Sequence, residues 1–299
     1  MDIAGLVEGA SDGQGLGNRF LDNISSVDAI VHVVRCFDTE NSHVVHYLKH
    51  VDPVRDAKII EKELVQRDMQ LLQGLRRGKL PKGVPWDPRS YAQLAEKVAN
   101  ALTASGSVRA LQLTPGSAEA EMLSHFRLLS TKPVLFVANV DEAGMHDGNQ
   151  YTRALQQYVD ARGDASMVTV CASVESDLAT MTDEAAREEL CAMYGIDLES
   201  DQGSGVQRIV RSAFQLLRLQ HFFTVGTKEV RAWPYRAGLT AKQCSGKIHS
   251  DFPDLFIRAL HWNYDEFIAA KGRRSRDIFK TADYVAQDGD IFEFKLRQS

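Results

Sequence analysis

Three short groups of residues in this sequence have types and spacing suited to work on a nucleotide. Asp2 and Gly5 form an Asp-x-x-Gly group. At a strand end, such a carboxylate approaches Mg2+ through water and the glycine N–H meets a terminal phosphate. Asn139, Val140, Asp141 and Glu142 directly follow an apolar run. An amide and a carboxylate three residues apart in that place offer the donors and acceptors that read a base edge. Cys171, Ala172, Ser173 and Val174 close the next apolar run, where a loop of small residues lets backbone approach a base.

Each group also has a plain structural reading: a glycine-rich turn, a turn that ends a strand, a short connecting loop. Order and context favour chemistry. Gly5, Gly9, Gly13, Gly15 and Gly17 make a loop able to move that runs into a helical segment, as a phosphate-sensing switch requires. Base-reading loops of the N-K-x-D type use the aspartate to accept two N–H donors from guanine, and adenine lacks the exocyclic amine among them. This chain reads N-x-x-E, so the longer Glu142 weakens a guanine clamp, and Val140, in place of lysine, is left with backbone contacts to make. Leu6 follows Gly5 where many nucleotide hydrolases carry a water-orienting glutamine, and an apolar side chain cannot do that work.

Elements that position these groups follow from the pattern. The runs 29–34, 133–138 and 167–171 are continuously apolar, as expected of buried parallel strands. Segments 15–24 and 151–161 have helical spacing, and the alternation predicts a doubly wound α/β sheet with its ligand beyond the strands' C-terminal ends. Residues 53–128 interrupt it. Ile60, Leu64, Met69, Leu71 and Leu72 recur among acids and bases at helical intervals, prolines fill 81–88, and a second helix is expected from Tyr91, which together predict a helical hairpin. After a helix over 206–219, runs at 222–225, 229–233 and 290–295 read as short half-buried strands of a small α+β domain.

Composition sets wide bounds. The 299 residues are 44% hydrophobic and 25% charged with a net charge of −5, so a nucleic-acid or anionic-membrane surface would have to be a local basic patch. Lys271, Arg273, Arg274 and Arg276 form one such cluster, either a candidate RNA contact or a solvated loop. Cys36, Cys171, Cys191 and Cys244 are scattered without metal-ligand spacing, which fits a reduced cytoplasmic setting. No apolar run is long enough to cross a bilayer and no secretory leader is legible, which predicts a soluble protein. His32, Cys36 and Cys171 read as packing residues within or beside strands rather than as catalysts, and no catalytic residue is identified.

The strings DIAGLVEGASDGQGLGNRFL at 2–21 and AIVHVVRCF at 29–37 resemble the YchF/Obg-like ATPase family. KEVRAW at 228–233, GKIHSDF at 246–252, FIRA at 256–259 and DGD at 288–290 resemble that family's TGS domain. The resemblance runs over nearly the whole chain. It implies an incomplete P-loop NTPase sheet over 1–52 and 129–220, a coiled-coil-like helical insertion at 53–128 and a β-grasp TGS domain over 221–299. It further implies an ATP-preferring hydrolase using Mg2+ with ATP, GTP being less favoured, and association with ribosomes or translation factors. Asp2 and Gly5 then lie on the Mg2+/phosphate side, and Asn139, Val140, Glu142, Ala172 and Ser173 at the base. His249 falls within the TGS-like signature.

One departure is plain. No G-x-x-x-x-G-K-[ST] occurs in the 299 residues, and the nearest Gly-Lys, Gly246 and Lys247, is followed by Ile248. Without that loop's N–H cradle, lysine and hydroxyl, poor ATP hydrolysis is expected, together with unpaired sheet edges and a tendency to associate. An incomplete copy of a longer protein and a shortened paralogue both account for this. A non-catalytic module that docks to ribosomal RNA or protein is the alternative function.

Overall fold

The computed structural model describes residues 27–38, 50–77, 85–114, 116–200, 203–226, 229–272 and 278–297. The chain divides into two compact units, Met1–Ala213 and Phe214–Ser299. No described helix is long and apolar enough to cross a membrane.

In the first unit, strands β1 (Ile30–Arg35), β2 (Val134–Asn139) and β3 (Ala165–Val170) form a parallel sheet in the order β1-β2-β3. β2 is the central strand, with Leu135, Phe136 and Ala138 fully buried, as its unbroken apolar run predicts. β1 departs from expectation. Val34 is buried, but Val31 and Val33 are 47% and 61% exposed. Among the described residues β1 has β2 as its strand neighbour, and only the face bearing Val34 is covered. An apolar run marks a strand without saying how many of its faces are packed.

Helix α1 (Pro53–Arg76) starts at Asp52, whose carboxylate accepts from Arg55 N at 3.0 Å, with Pro53 in the first turn. Helix α2 (Pro88–Ser105) repeats the device with Asp87 and Ser90, and ends on Gly106 in the left-handed region. The two pack as the expected hairpin around Leu72, Leu75, Tyr91, Leu94, Val98 and Leu102. A turn at Val108–Leu111 and helix α3 (Ala118–Phe126) complete that cluster through Val108, Met122 and Phe126. Two polar side chains of α1 fasten the hairpin to the sheet. Asp68, 1% exposed, accepts from Leu129 N (2.8 Å), Ser130 N (2.8 Å) and Ser130 Oγ (2.6 Å), just before β2. Glu61 takes hydrogen bonds from Arg162 and Tyr158 of helix α4 (Gln150–Arg162).

α4 covers the Val34, Phe136 and Ala138 face with Leu155 and Val159. Three helices follow: α5 (Ala172–Thr180), α6 (Glu184–Met193) and α7 (Gly205–Leu216). Glu175 of α5 accepts from Gly205 N at 2.6 Å and Val206 N at 3.1 Å, satisfying amides at the start of α7.

The second unit is a five-stranded mixed sheet in the order β5-β4-β8-β6-β7, from β4 (Leu219–Val225), β5 (Val230–Arg236), β6 (Phe256–Trp262), β7 (Ile278–Lys280) and β8 (Ile291–Leu296). Helix α8 (Ala241–Ser245) contributes Ala241 and Cys244 to a core with Phe222, Tyr235, Ala259 and Phe292. Short helices α9 (Phe252–Leu255) and α10 (Tyr264–Ala269) flank β6. β4, β5 and β8 answer to the expected strands. β6 and β7 do not appear in the pattern, because Arg258 and the buried His261 break the apolar alternation of β6. His261 Nε2 meets Asp290 Oδ1 at 2.7 Å, and Asp290 Oδ2 accepts from Gln287 N at 2.8 Å.

Candidate nucleotide-base site

Parallel pairing puts the ends of β1, β2 and β3 level, and so delivers two loops to one edge. Arg35 is registered with Asn139, and Asn139 with Val170. The ladder continues one step further, with Cys36 N donating to Asn139 O at 2.7 Å and Val140 N to Val170 O at 2.9 Å.

Beyond this point the β2 loop and the start of α5 are tied by side chains. Asn139 Oδ1 accepts from Ala172 N at 3.0 Å. Ser173 Oγ donates to Glu142 Oε1 at 2.7 Å. Glu142, Ala172 and Ser173 are exposed. Val140 is 3% exposed and packs into the core under the loop, its N–H given to Val170 O. The Ser173 hydroxyl holds the Glu142 carboxyl below the ordinary carboxylate range, helped by a backbone N–H and opposed by slight burial. Asn139, Val140, Glu142, Ala172 and Ser173, distant in sequence, therefore sit together. Asp2, Gly5, Arg273, Arg274 and Arg276 lie outside the described residues.

Gly144 and Asn149 escaped the sequence reading, and Asp141, named in it, has a structural part. Asp141 Oδ1 accepts from Gly144 N at 3.0 Å, closing a single 3-10 turn at Glu142–Gly144. A Cβ on Gly144 would lie 3.0 Å from Val140 Cβ, 3.2 Å from Asp141 Oδ1 and 3.3 Å from Asn149 Nδ2. Asn149 caps α4 and donates through Nδ2 to Cys36 O at 2.6 Å, joining the end of β1 to the same loop. Asn149 and Thr152 form a capping box, the one signal in the sequence that marks this position.

The sulfur and imidazole groups nearby are packed. Cys36 is fully buried, and burial, then the charge of Asp56, pushes its thiol up to about 12. Burial and the Arg162 charge lower His32 to about 4, and its ring lies 5.3 Å from that of Phe136. All four cysteines are free and buried. Among the described residues, no group of three or more His, Cys, Asp and Glu side chains is placed to hold a metal ion.

The YchF-GTPase_C family model, described as a protein of unknown function (DUF933), matches residues 219–297. The ribosome-binding ATPase YchF of Escherichia coli O157:H7 is 38% identical over 301 residues, covering 98% of this chain and 80% of that protein. This chain belongs to the YchF family. The ribosome-binding ATPase YchF of Bacillus subtilis strain 168 is 36% identical over 304 residues, 99% of this chain and 80% of its own length. The solved structure of the Schizosaccharomyces pombe YchF GTPase superposes with a TM-score of 0.76 at 30% identity, covering 98% of this chain and 78% of that one. The names of these YchF proteins differ on the nucleotide, ATPase for the bacterial ones and GTPase for the yeast one, which puts weight on the chemistry of the base loops.

Proposed function

We propose that this YchF chain holds the base of ATP, in preference to that of GTP, against Asn139, the Val140 backbone, Glu142, Ala172 and Ser173. The observation that carries the reading is the Glu142 carboxylate at the aspartate position of the N-K-x-D type, exposed yet already accepting from Ser173. Mg2+ would bind with the phosphates, and Asp2 and Gly5 are the proposed phosphate-side residues. The amide, carboxylate and hydroxyl present suit a purine edge. The chain as given, without G-x-x-x-x-G-K-[ST], is proposed to hydrolyse ATP poorly. The bacterial relatives' name, ribosome-binding ATPase, supports a ribosomal partner and a cytoplasmic setting for this chain too.

Titration of the folded 299-residue chain with Mg2+-ATP and Mg2+-GTP tests this. The expected result is tighter binding of ATP with little phosphate release. Equal affinity for the two nucleotides, or tighter GTP binding, would overturn it.

A second reading, a module that docks to ribosomal RNA, draws on charge. The unit Phe214–Ser299 carries 14 Lys and Arg against 10 Asp and Glu, whereas Met1–Ala213 carries 21 against 30. A net basic unit in an acidic chain suits phosphate contact, with Arg273, Arg274 and Arg276 as the proposed contacts. Charge reversal at these three arginines is expected to abolish salt-sensitive RNA association, and unchanged binding would reject the role.

A further inference from the structure

We propose that the open edge of β5 is a docking site for an extended segment of a partner protein, one whose side chains alternate between apolar and acidic. Every residue of this surface belongs to the unit Phe214–Ser299.

β5 ends its sheet: among the described residues, β4 is its one strand neighbour. Antiparallel pairs alternate between those that exchange hydrogen bonds and those that do not. Two bonds fix the phase here, Gly226 N to Glu229 O at 2.9 Å and Ala237 N to Arg218 O at 2.9 Å. Alternation from either end places Val230, Ala232 and Pro234 at non-bonded pairs, opposite Val225, Phe223 and His221. The opposing amides agree: Phe223 N donates to Asp290 O (2.8 Å) and His221 N to Asp288 Oδ1 (2.7 Å), both away from β5. Val230 and Ala232 therefore each turn an N–H and a C=O to the open edge, and Pro234 a C=O alone. Proline is tolerated there because no ladder bond needs its N–H, and it limits how far an added strand can pair. The stretch Val230–Pro234 remains open. A row of backbone donors and acceptors is read by another backbone, which favours a peptide strand over RNA.

The two faces beside that edge differ, and side chains of an added strand alternate between them. On one face Val230 is 68% exposed and lies level with Val225, which packs with Phe223, Leu260 and Ile291. Tyr264, also exposed, extends this apolar surface, its ring 5.6 Å from that of Phe223. On the other face stand Arg231 and Trp233, the guanidinium 4.1 Å over the indole ring. Among the described residues Arg231 has one carboxylate in reach, Glu229 at 4.0 Å, and both side chains are more than half exposed. A guanidinium held on a ring keeps N–H donors for a carboxylate. The added strand must then be apolar on the first face and acidic beside Arg231. The unit's 14 Lys and Arg against 10 Asp and Glu favour the same sign of partner.

The test is amide mapping of the full 15N-labelled chain with a blocked heptapeptide, Glu-Val-Glu-Val-Glu-Val-Glu. A scrambled peptide of the same composition and a uridine oligonucleotide are titrated beside it. The expected result is saturable binding of the alternating peptide, with shifts at Val230 and Ala232, and about tenfold weaker binding of the scrambled one. Ala232→Pro removes an outward N–H and no ladder bond, as Pro234 already does, so the β4–β5 pairing stays. It should weaken the peptide about tenfold, the scale of one net hydrogen bond. Arg231→Glu should weaken it by a similar factor and bind the Lys-Val alternating peptide instead. Circular dichroism checks each variant for folding, and Arg231→Glu, at an exposed side chain, decides by itself if Ala232→Pro does not fold. Failure of the alternating peptide to bind, or undiminished binding by the folded variants, would overturn the proposal. So would two other results. Oligonucleotide binding lost in Arg231→Glu and kept in Ala232→Pro would make the surface a nucleic-acid contact. A doubling of mass with concentration, abolished by Ala232→Pro, would make the occupant a second copy of this chain.

Discussion

Replacing Asp68 should loosen the helical hairpin from the sheet, and the structure gives the size of the effect. Asp68 receives two backbone N–H donors and one hydroxyl, divided between its oxygens: Leu129 N on Oδ1, Ser130 N and Oγ on Oδ2. In Asp68→Asn one oxygen becomes an amide NH2, so one of the two N–H groups faces a donor. A buried donor left unsatisfied costs about 1–3 kcal/mol. Burial has pushed the Asp68 carboxyl above its ordinary value, desolvation outweighing the three donors, so a neutral amide recovers part of that cost. The net expectation for Asp68→Asn is about 2 kcal/mol of destabilisation, against about 3–5 kcal/mol for Asp68→Ala, which strands all three donors. Urea unfolding of the full chain, followed by far-ultraviolet circular dichroism, measures both. A loss below about 0.5 kcal/mol for Asp68→Ala, the size of an ordinary surface change, would refute the clamp.

Other substitutions probe the base loops and the second unit. Gly144→Ala forces a methyl against Val140 and Asp141 and should cost about 1–3 kcal/mol in thermal unfolding, together with weaker ATP binding; a neutral variant would show that the loop is not tightly packed there. The Glu142 carboxyl is held low in the folded chain, so its ionised form is the favoured one: its contribution is present above the ordinary value of 4.5 and lost as pH falls through the lowered value. The ATP preference should therefore be flat across neutral pH and collapse only in acid, whereas a collapse near pH 6–7 would point to another group, since roughly that range belongs to histidine. Asp290→Ala leaves His261 Nε2 and Gln287 N without their acceptor and should destabilise the second unit by about 2–4 kcal/mol, read as faster amide exchange in β6 and β8; unchanged exchange would refute the pairing's role.

The sequence was most legible where one physical rule acts alone. β2 was readable because a fully buried strand must be apolar throughout, and α1 because Ile60, Leu64, Met69, Leu71 and Leu72 recur at roughly helical spacing. Where a second condition enters, the pattern is silent. The exposure of Val31 and Val33 depends on what covers the far face of the sheet, which no local spacing encodes. No local spacing sets Asp68 apart from the other charges of its helix, since its partners lie 61 and 62 positions away. β6 was hidden because His261 is buried by virtue of Asp290, an interaction between different strands and loops. In the site, spacing and strand order pointed to Asn139, Glu142 and Ser173. The hydrogen bonds that join them, and the support from Gly144 and Asn149, emerge only when β2 and β3 are aligned in register.

The most direct test of the base site is amide mapping of the 15N-labelled chain as Mg2+-ATP is added. The account predicts that the largest shifts fall on Val140, Glu142, Ala172 and Ser173, and that Mg2+-GTP at equal concentration shifts them less. Shifts confined to residues 214–299, or equal responses to the two nucleotides, would contradict it.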